Sequence, residues 1–127
     1  MPRHPIHSDA APAAIGPYSQ AVRIGNTVYC SGQIPLDPRT GELVSGDIRV
    51  QARRAFDNLK AVVDAAGADF GQVARLGLYL LDLGQFAEVN AVMGEYFQAP
   101  YPARSTIGVA ALPKGAIFEV DAVLVLE

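Results

Sequence analysis

Two residues of this chain combine a charge with an apolar, strand-like neighbourhood. Arg104 stands in Pro102-Ala103-Arg104-Ser105-Thr106, and Glu119 in Ile117-Phe118-Glu119-Val120-Asp121. Burying an isolated charge costs several kcal/mol, so such residues are normally paired or put to use. An arginine presents a planar fork that matches a carboxylate at two points. A glutamate can hold a water and carry a proton. Together they suit a small site for a small carboxylate whose chemistry needs water and a proton. The plainer alternative is an ion pair between the two residues across adjacent strands, and spacing alone leaves the two readings level. Strand alternation puts Arg104, Thr106 and Gly108 on one face and Ser105, Ile107 and Val109 on the other. Glu119 shares its face with Asp121, which is either its support or a solvated rim charge.

Other chemistries find little material. The two histidines, His4 and His7, fall in a proline-rich lead-in, and the single cysteine is Cys30. No Cys/His grouping has metal-ligand spacing, so no metal is expected. Neither a GxxxxGK[ST] nor a GxGxxG motif is present, which removes the usual phosphate cradles, and a Ser-His-Asp triad lacks a placed histidine. No cofactor is expected. Cys30 would need a base or a positive neighbour to act as a nucleophile, and the ordinary reading is a small buried strand residue. Tyr18 and Asn90 are weak signals by themselves; on a helix, a polar residue such as Asn90 is normally a solvated one.

The elements that must position these residues follow from periodicity and turn chemistry. Residues 1–17 hold four prolines and read as an extended, partly mobile lead-in. Tyr18 to Ile24 and Thr27 to Ser31 form two strands around the tight turn Gly25-Asn26. Gly32 to Gly46 is a loop. Asp47 caps a helix whose apolar stripe is Ile48, Ala52, Ala55, Phe56, Leu59, Val62, Val63 and Ala66, stopping at Gly67. Arg49, Arg53 and Lys60 lie off that stripe and read as a solvated face. Arg75 to Leu81 is a third strand, apolar almost throughout. Asp82 starts a second helix over about 84–98, with Phe86, Val89, Met93, Tyr96 and Phe97 on one side. Ala103 to Val109 and Ala116 to Leu126 are the last strands, joined through Pro113-Lys114-Gly115.

This order predicts an α+β fold, a mixed sheet with two helices on one face. In the final strand Phe118, Val120, Ala122 and Leu124 point one way while Ile117, Val123 and Val125 point the other. No remaining element covers that second apolar face, so a homo-oligomer in which sheets pack on sheets is expected. With 127 residues the chain suits one domain over 1–127. Half of it is apolar and 18% charged, which excludes a disordered chain. A net charge of -3 argues against nucleic acid as a main partner. The start lacks the apolar run of a signal peptide, and no stretch reaches the roughly 18 apolar residues of a membrane span, so a cytoplasmic protein without a membrane partner is expected.

Several separated motifs resemble one family. Gly16-Pro17-Tyr18-Ser19-Gln20-Ala21, Ser31-Gly32-Gln33-Ile34-Pro35, Asp37-Pro38-Arg39-Thr40-Gly41, Val89-Asn90, Pro102-Ala103-Arg104-Ser105 and Phe118-Glu119-Val120 occur in the order and at the intervals of the RidA family, also called YjgF. The resemblance runs from about residue 12 to the end. It implies a chorismate-mutase-like fold and a homotrimer with a central barrel-like core and three sites in clefts between subunits. The activity it implies is hydrolysis of reactive 2-imino acids, such as 2-iminobutanoate and 2-iminopropanoate released by pyridoxal-phosphate enzymes, to 2-keto acids and ammonia.

The implied roles attach to particular residues. Arg104 matches the arginine that grips the substrate carboxylate, and Glu119 the glutamate that positions and activates water. Tyr18 matches the tyrosine that closes over the ligand. Ser31 and Gly32 line the cleft, Asn90 lies near it, and Thr106 contributes mainly through its backbone. Two positions depart from the common pattern: Thr106 replaces a frequent cysteine, and Gly108 a frequent glutamate. Competing functions are a non-catalytic trimer binding small carboxylates, an endoribonuclease or translation inhibitor, and a chaperone-like protein. The acidic charge and the lack of a histidine pair placed for acid–base cleavage give the ribonuclease little support.

Overall fold

The computed structural model describes residues 2–127. Six strands form one sheet: β1 (His4–Ile6), β2 (Ala21–Ile24), β3 (Thr27–Gln33), β4 (Val73–Leu80), β5 (Ala103–Gly108) and β6 (Phe118–Val125). Their order is β1-β2-β3-β6-β4-β5. β4 and β5 run parallel, and every other pairing is antiparallel. The sheet is therefore mixed, as expected.

Helix α1 (Ile48–Ala65) starts where Asp47 accepts a hydrogen bond from the Val50 amide at 3.0 Å. An N-cap of this kind satisfies one of the amides that the first turn leaves free. The predicted stripe is the buried one: Ile48, Ala52, Ala55, Phe56, Leu59, Val62 and Val63 all face inward. Helix α2 (Phe86–Tyr96) is shorter than 84–98, because Asp82 caps a separate 3-10 turn, Leu83–Gln85, ahead of it. Both helices cover the same side of the sheet. Leu76, Leu78 and Leu80 of β4 and Phe118, Val120 and Leu124 of β6 are fully buried there. The Phe56 ring lies 5.2 Å from that of Tyr96 and 5.6 Å from that of Phe118, joining α1, α2 and β6.

Two features go beyond what the sequence suggested. The extended lead-in contains a short edge strand, His4–Ile6, which pairs with Arg23, Val22 and Ala21. The last two strands are not neighbours. β4 lies between β5 and β6, because β4, α2 and β5 form a parallel crossover and β6 returns to fill the gap between β3 and β4.

The uncovered side of the sheet carries Tyr29, Ser31, Arg75, Tyr79, Ser105, Ile107, Glu119, Asp121, Val123 and Val125 by strand alternation. Tyr29, Ile107 and Val125 are each more than two-fifths exposed there. The second face is thus apolar in part and interrupted by charges at its centre.

Candidate functional site

Glu119 and Asp121 point from the same face of β6, and each lies over a glycine. A Cβ on Gly32 of β3 would collide with the Glu119 carboxyl, and one on Gly77 of β4 with the Asp121 carboxyl and the Tyr79 hydroxyl. Only glycine allows these close approaches. Glu119 is half-buried, and its carboxyl is held above the usual carboxylate range, first by burial and then by the charge of Asp121. A carboxylate that holds its proton more tightly than usual is also a better base. Tyr79 donates to Asp121 at 2.9 Å.

Around Glu119 opens a cleft of about 670 Å³, lined among others by Tyr18, Ser31, Gly32, Ile34 and Lys114. Its walls are tied to the core by two buried amides. Gln20 donates to the Pro12 carbonyl at 2.8 Å and to that of Ser8 at 3.1 Å, and accepts from the Ser8 amide at 2.6 Å. That fixes residues 8–20, which carry Tyr18. Ser31 donates its hydroxyl to the Ser19 carbonyl at 2.6 Å, closing the same segment onto β3. Asn58 of α1 donates to the carbonyls of Ile34 and Leu36 at 3.2 and 2.9 Å, and accepts from Arg54 at 2.7 Å. It holds the opposite wall. Tyr18 is about half exposed at the mouth. Lys114, at a left-handed φ of 58°, donates to the Gly41 carbonyl at 3.1 Å.

Arg104 belongs to a different place. It lies on the helix-covered face at the edge strand, beyond the end of the core, in a groove of about 420 Å³ lined by Asn90, Met93, Gly94, Tyr101 and Pro102. One nitrogen donates to Asn90 at 2.7 Å and approaches the Met93 sulfur at 3.4 Å. The guanidinium carbon stands 5.0 Å over the Phe86 ring, a cation–π contact that fixes the plane of the fork. No carboxylate among the described residues pairs with it. Its remaining donors are thus open to an anionic ligand. Thr106, on the same face, has a buried hydroxyl oxygen without a hydrogen-bond partner among the described residues.

The structure therefore gathers Tyr18, Ser31, Gly32 and Glu119 in one cleft, and Asn90 and Arg104 in another. Arg104 is level with Leu76 and Ala122, whereas Glu119 is level with Tyr79 and Ile107. They lie about 10 Å apart along the strands, about 10 Å apart across them, and on opposite faces. The ion pair between them does not exist in one chain. The expectation that both charges are buried also fails: Arg104 is exposed and Glu119 half-buried. Cys30 is buried, its thiol pushed up to about 12 by burial and then by Asp121, which leaves no reactive thiolate at neutral pH. Sequence reasoning missed Asn58 and Lys114. Asn58 had a signal, a lone polar residue on the apolar stripe between Ala55 and Val62. Among the described residues, no group of three or more His, Cys, Asp or Glu side chains could hold a metal ion, and no helix is long and apolar enough to cross a membrane.

Comparison with known proteins matches residues 8–126 to the family described as endoribonuclease L-PSP. Protein DfrA of Myxococcus xanthus is 55% identical over 98% of this chain and 97% of its own length. A 2-iminobutanoate/2-iminopropanoate deaminase of Dermatophagoides farinae is 50% identical over 99% of this chain and 98% of its own. Among solved structures, E. coli TdcF with bound serine superposes with a TM-score of 0.93 at 42% identity, covering 98% of this chain and 99% of that one.

Proposed function

The chain belongs to the endoribonuclease L-PSP family, the RidA/YjgF family of the motifs above, and on that premise we propose that it is a 2-iminobutanoate/2-iminopropanoate deaminase working as a homotrimer. The observation that carries the reading is the division of the site. An arginine fork without a carboxylate partner and a proton-holding glutamate cleft stand on opposite faces of one sheet. Each is half of a site for hydrolysing a small carboxylate. Packing the uncovered, partly apolar sheet face against a second copy supplies the other half, with Arg104 of one subunit reaching the Glu119 cleft of its neighbour. Support comes also from the Dermatophagoides farinae relative named for this deamination and from the serine bound to E. coli TdcF, a small amino acid with a carboxylate.

In this reading the substrate carboxylate takes the two-point contact of Arg104. Tyr18 closes over the ligand, and Asn90 keeps the fork in place. A water held by Glu119 adds to the carbon of the C=N group as Glu119 accepts its proton. The C–N bond of the resulting carbinolamine then breaks. Glu119 hands that first proton to the nitrogen on addition, then takes the carbinolamine hydroxyl proton as the C=O bond forms and delivers it to the departing nitrogen, so one imino acid and one water give one 2-keto acid and one ammonia. Free imines already hydrolyse readily in water, so positioning supplies most of the acceleration. Ser31 and Gly32 shape the floor, and the backbone at Thr106 contributes to the arginine side.

The test is a coupled assay. A threonine dehydratase releases 2-iminobutanoate in the presence of semicarbazide, which traps free imine. Wild-type protein should lower semicarbazone and raise free 2-keto acid, and Arg104→Ala should not. If wild type has no effect on imines from threonine or from other amino acids, the deaminase reading fails and the Arg104 groove is a carboxylate-binding site only.

A further inference from the structure

Glu119 has an acidic neighbour that the proposed reaction does not use. Asp121 stands two residues further along β6 on the same face, about 7 Å away along the strand. It is not a loose surface carboxylate. Its oxygen accepts from the Tyr79 hydroxyl at 2.9 Å, and Tyr79 is the residue directly opposite Glu119 in the register. The tyrosine therefore reaches diagonally, away from its own cross-strand partner and toward the next acid, within the reach of diagonal pairs in an antiparallel ladder. Gly77, opposite Asp121, leaves the space in which the hydroxyl and the carboxylate meet. β6 thus carries two acids over two glycines, Glu119 over Gly32 and Asp121 over Gly77, and only one of the acids has a hydrogen-bond donor among the described residues.

We propose that Tyr79 and Asp121 are positioning residues for Glu119: the Tyr79 hydroxyl fixes the Asp121 carboxyl on the face of β6 that carries Glu119, where it acts on the Glu119 carboxyl beside it. A hydrogen bond to a carboxylate favours its charged form, and a nearby like charge disfavours a second ionisation. Under the proposed trimer a neighbouring subunit's Arg104 also reaches this cleft, a cation that acts on Glu119 in the opposite sense to Asp121 and is common to wild type and the variants below. Lys114 approaches from the turn after β5, but its ammonium is held by the Gly41 carbonyl. Arg75, on the same face of β4, donates to Ser105 at 3.0 Å. Neither makes an ion pair with Glu119 or Asp121. β3 contributes Tyr29, Ser31 and Gly32, and the lead-in contributes Tyr18. Burial and the Asp121 charge are the two causes that raise the Glu119 carboxyl. The same charge reaches through the sheet to the Cys30 thiol. Within the proposed function, which supplies only the catalytic consequence, the pair sets the acid limit of turnover.

The experiment follows the side-chain carboxyl carbon of Glu119 by NMR through a pH titration of the ligand-free protein, the resonance being assigned by its loss in Glu119→Gln. Asp121→Asn keeps an acceptor for Tyr79 and removes only the charge; it should move the Glu119 midpoint to lower pH. Tyr79→Phe should move it in the same direction by less, since an Asp121 carboxyl released from the hydroxyl is free to turn away from Glu119. An unchanged midpoint in Asp121→Asn overturns the proposal. The acid limb of kcat/KM for imine hydrolysis should shift with the NMR midpoint. A midpoint that moves while the limb stays still would leave the pair's control of Glu119 standing and remove Glu119 as the base.

Discussion

The two faces of the sheet differ in what a single residue does. On the helix side of β6, Phe118, Val120, Ala122 and Leu124 are buried and interchangeable in kind: each contributes apolar area and shape. On the other side, Glu119 and Asp121 each depend on one glycine and on one neighbour's identity. Adjacent residues of one strand thus answer to different demands, stability on one parity and, under the proposed function, proton chemistry on the other. Substitutions one position apart should therefore fail in different ways. Arg104 sharpens the contrast: it lies on the helix side, but at the edge strand, where the core has ended.

The largest effect expected is on the buried parity. Phe118→Ala removes a ring packed on Phe56 and should cost about 3–5 kcal/mol of folding free energy, read as a lower denaturant midpoint. Equal loss from Glu119→Ala would erase the distinction between the faces. Next comes Arg104→Ala. Loss of a two-point charged contact should lower kcat/KM for imine hydrolysis by about 100-fold or more, about 2.7 kcal/mol or more, while the denaturant midpoint shifts by less than about 1 kcal/mol. A variant that loses stability and not turnover would return Arg104 to a structural role.

A smaller effect has an informative sign. Glu119 holds its proton more tightly folded than unfolded. Its contribution to stability is thus full below the ordinary glutamate range and is lost as pH rises through the raised folded value. Glu119→Gln removes that loss. It should be more stable than wild type at neutral pH and gain nothing in acid, while turnover falls. Thermal midpoints at several pH values check this; a gain that grew toward acid would contradict it. Smallest of all is Arg53→Ala. It breaks an exposed ion pair with Glu95 at 2.9 Å, and denaturant unfolding should barely register it.

Much of this arrangement was legible because it is local. The α1 stripe, the Asp47 cap and the Gly25-Asn26 turn depend on residues within a few positions of one another. The order of the strands does not. The chain from Ala103 to Leu126 reads as two consecutive strands, and consecutive strands usually pair; here β6 goes past β5 to sit beside β3. A cue was present in composition. β4 is apolar almost throughout, as a central strand buried on both sides would be, whereas β5 carries Arg104, Ser105 and Thr106, as an edge strand does. β1 was missed because three residues including Pro5 give no periodicity, and a proline fits the outside of an edge. In the site, the residue types and their faces were readable. Which residues share a cleft was not, since that depends on the strand order.

The opposition of Arg104 and Glu119 across the sheet also has a genetic meaning. In a protein whose sites are completed within one chain, two inactive alleles remain inactive together. Here a chain lacking Arg104 still carries an intact glutamate cleft, and a chain lacking Glu119 still carries an intact arginine fork. Co-expressed in one cell and assembled together under the proposed trimer, the two lesions would fall in the same sites in some interfaces and in different sites in others. A minority of sites would then be whole. Two dead alleles should complement each other, and the frequency of recovery would count how the subunits meet.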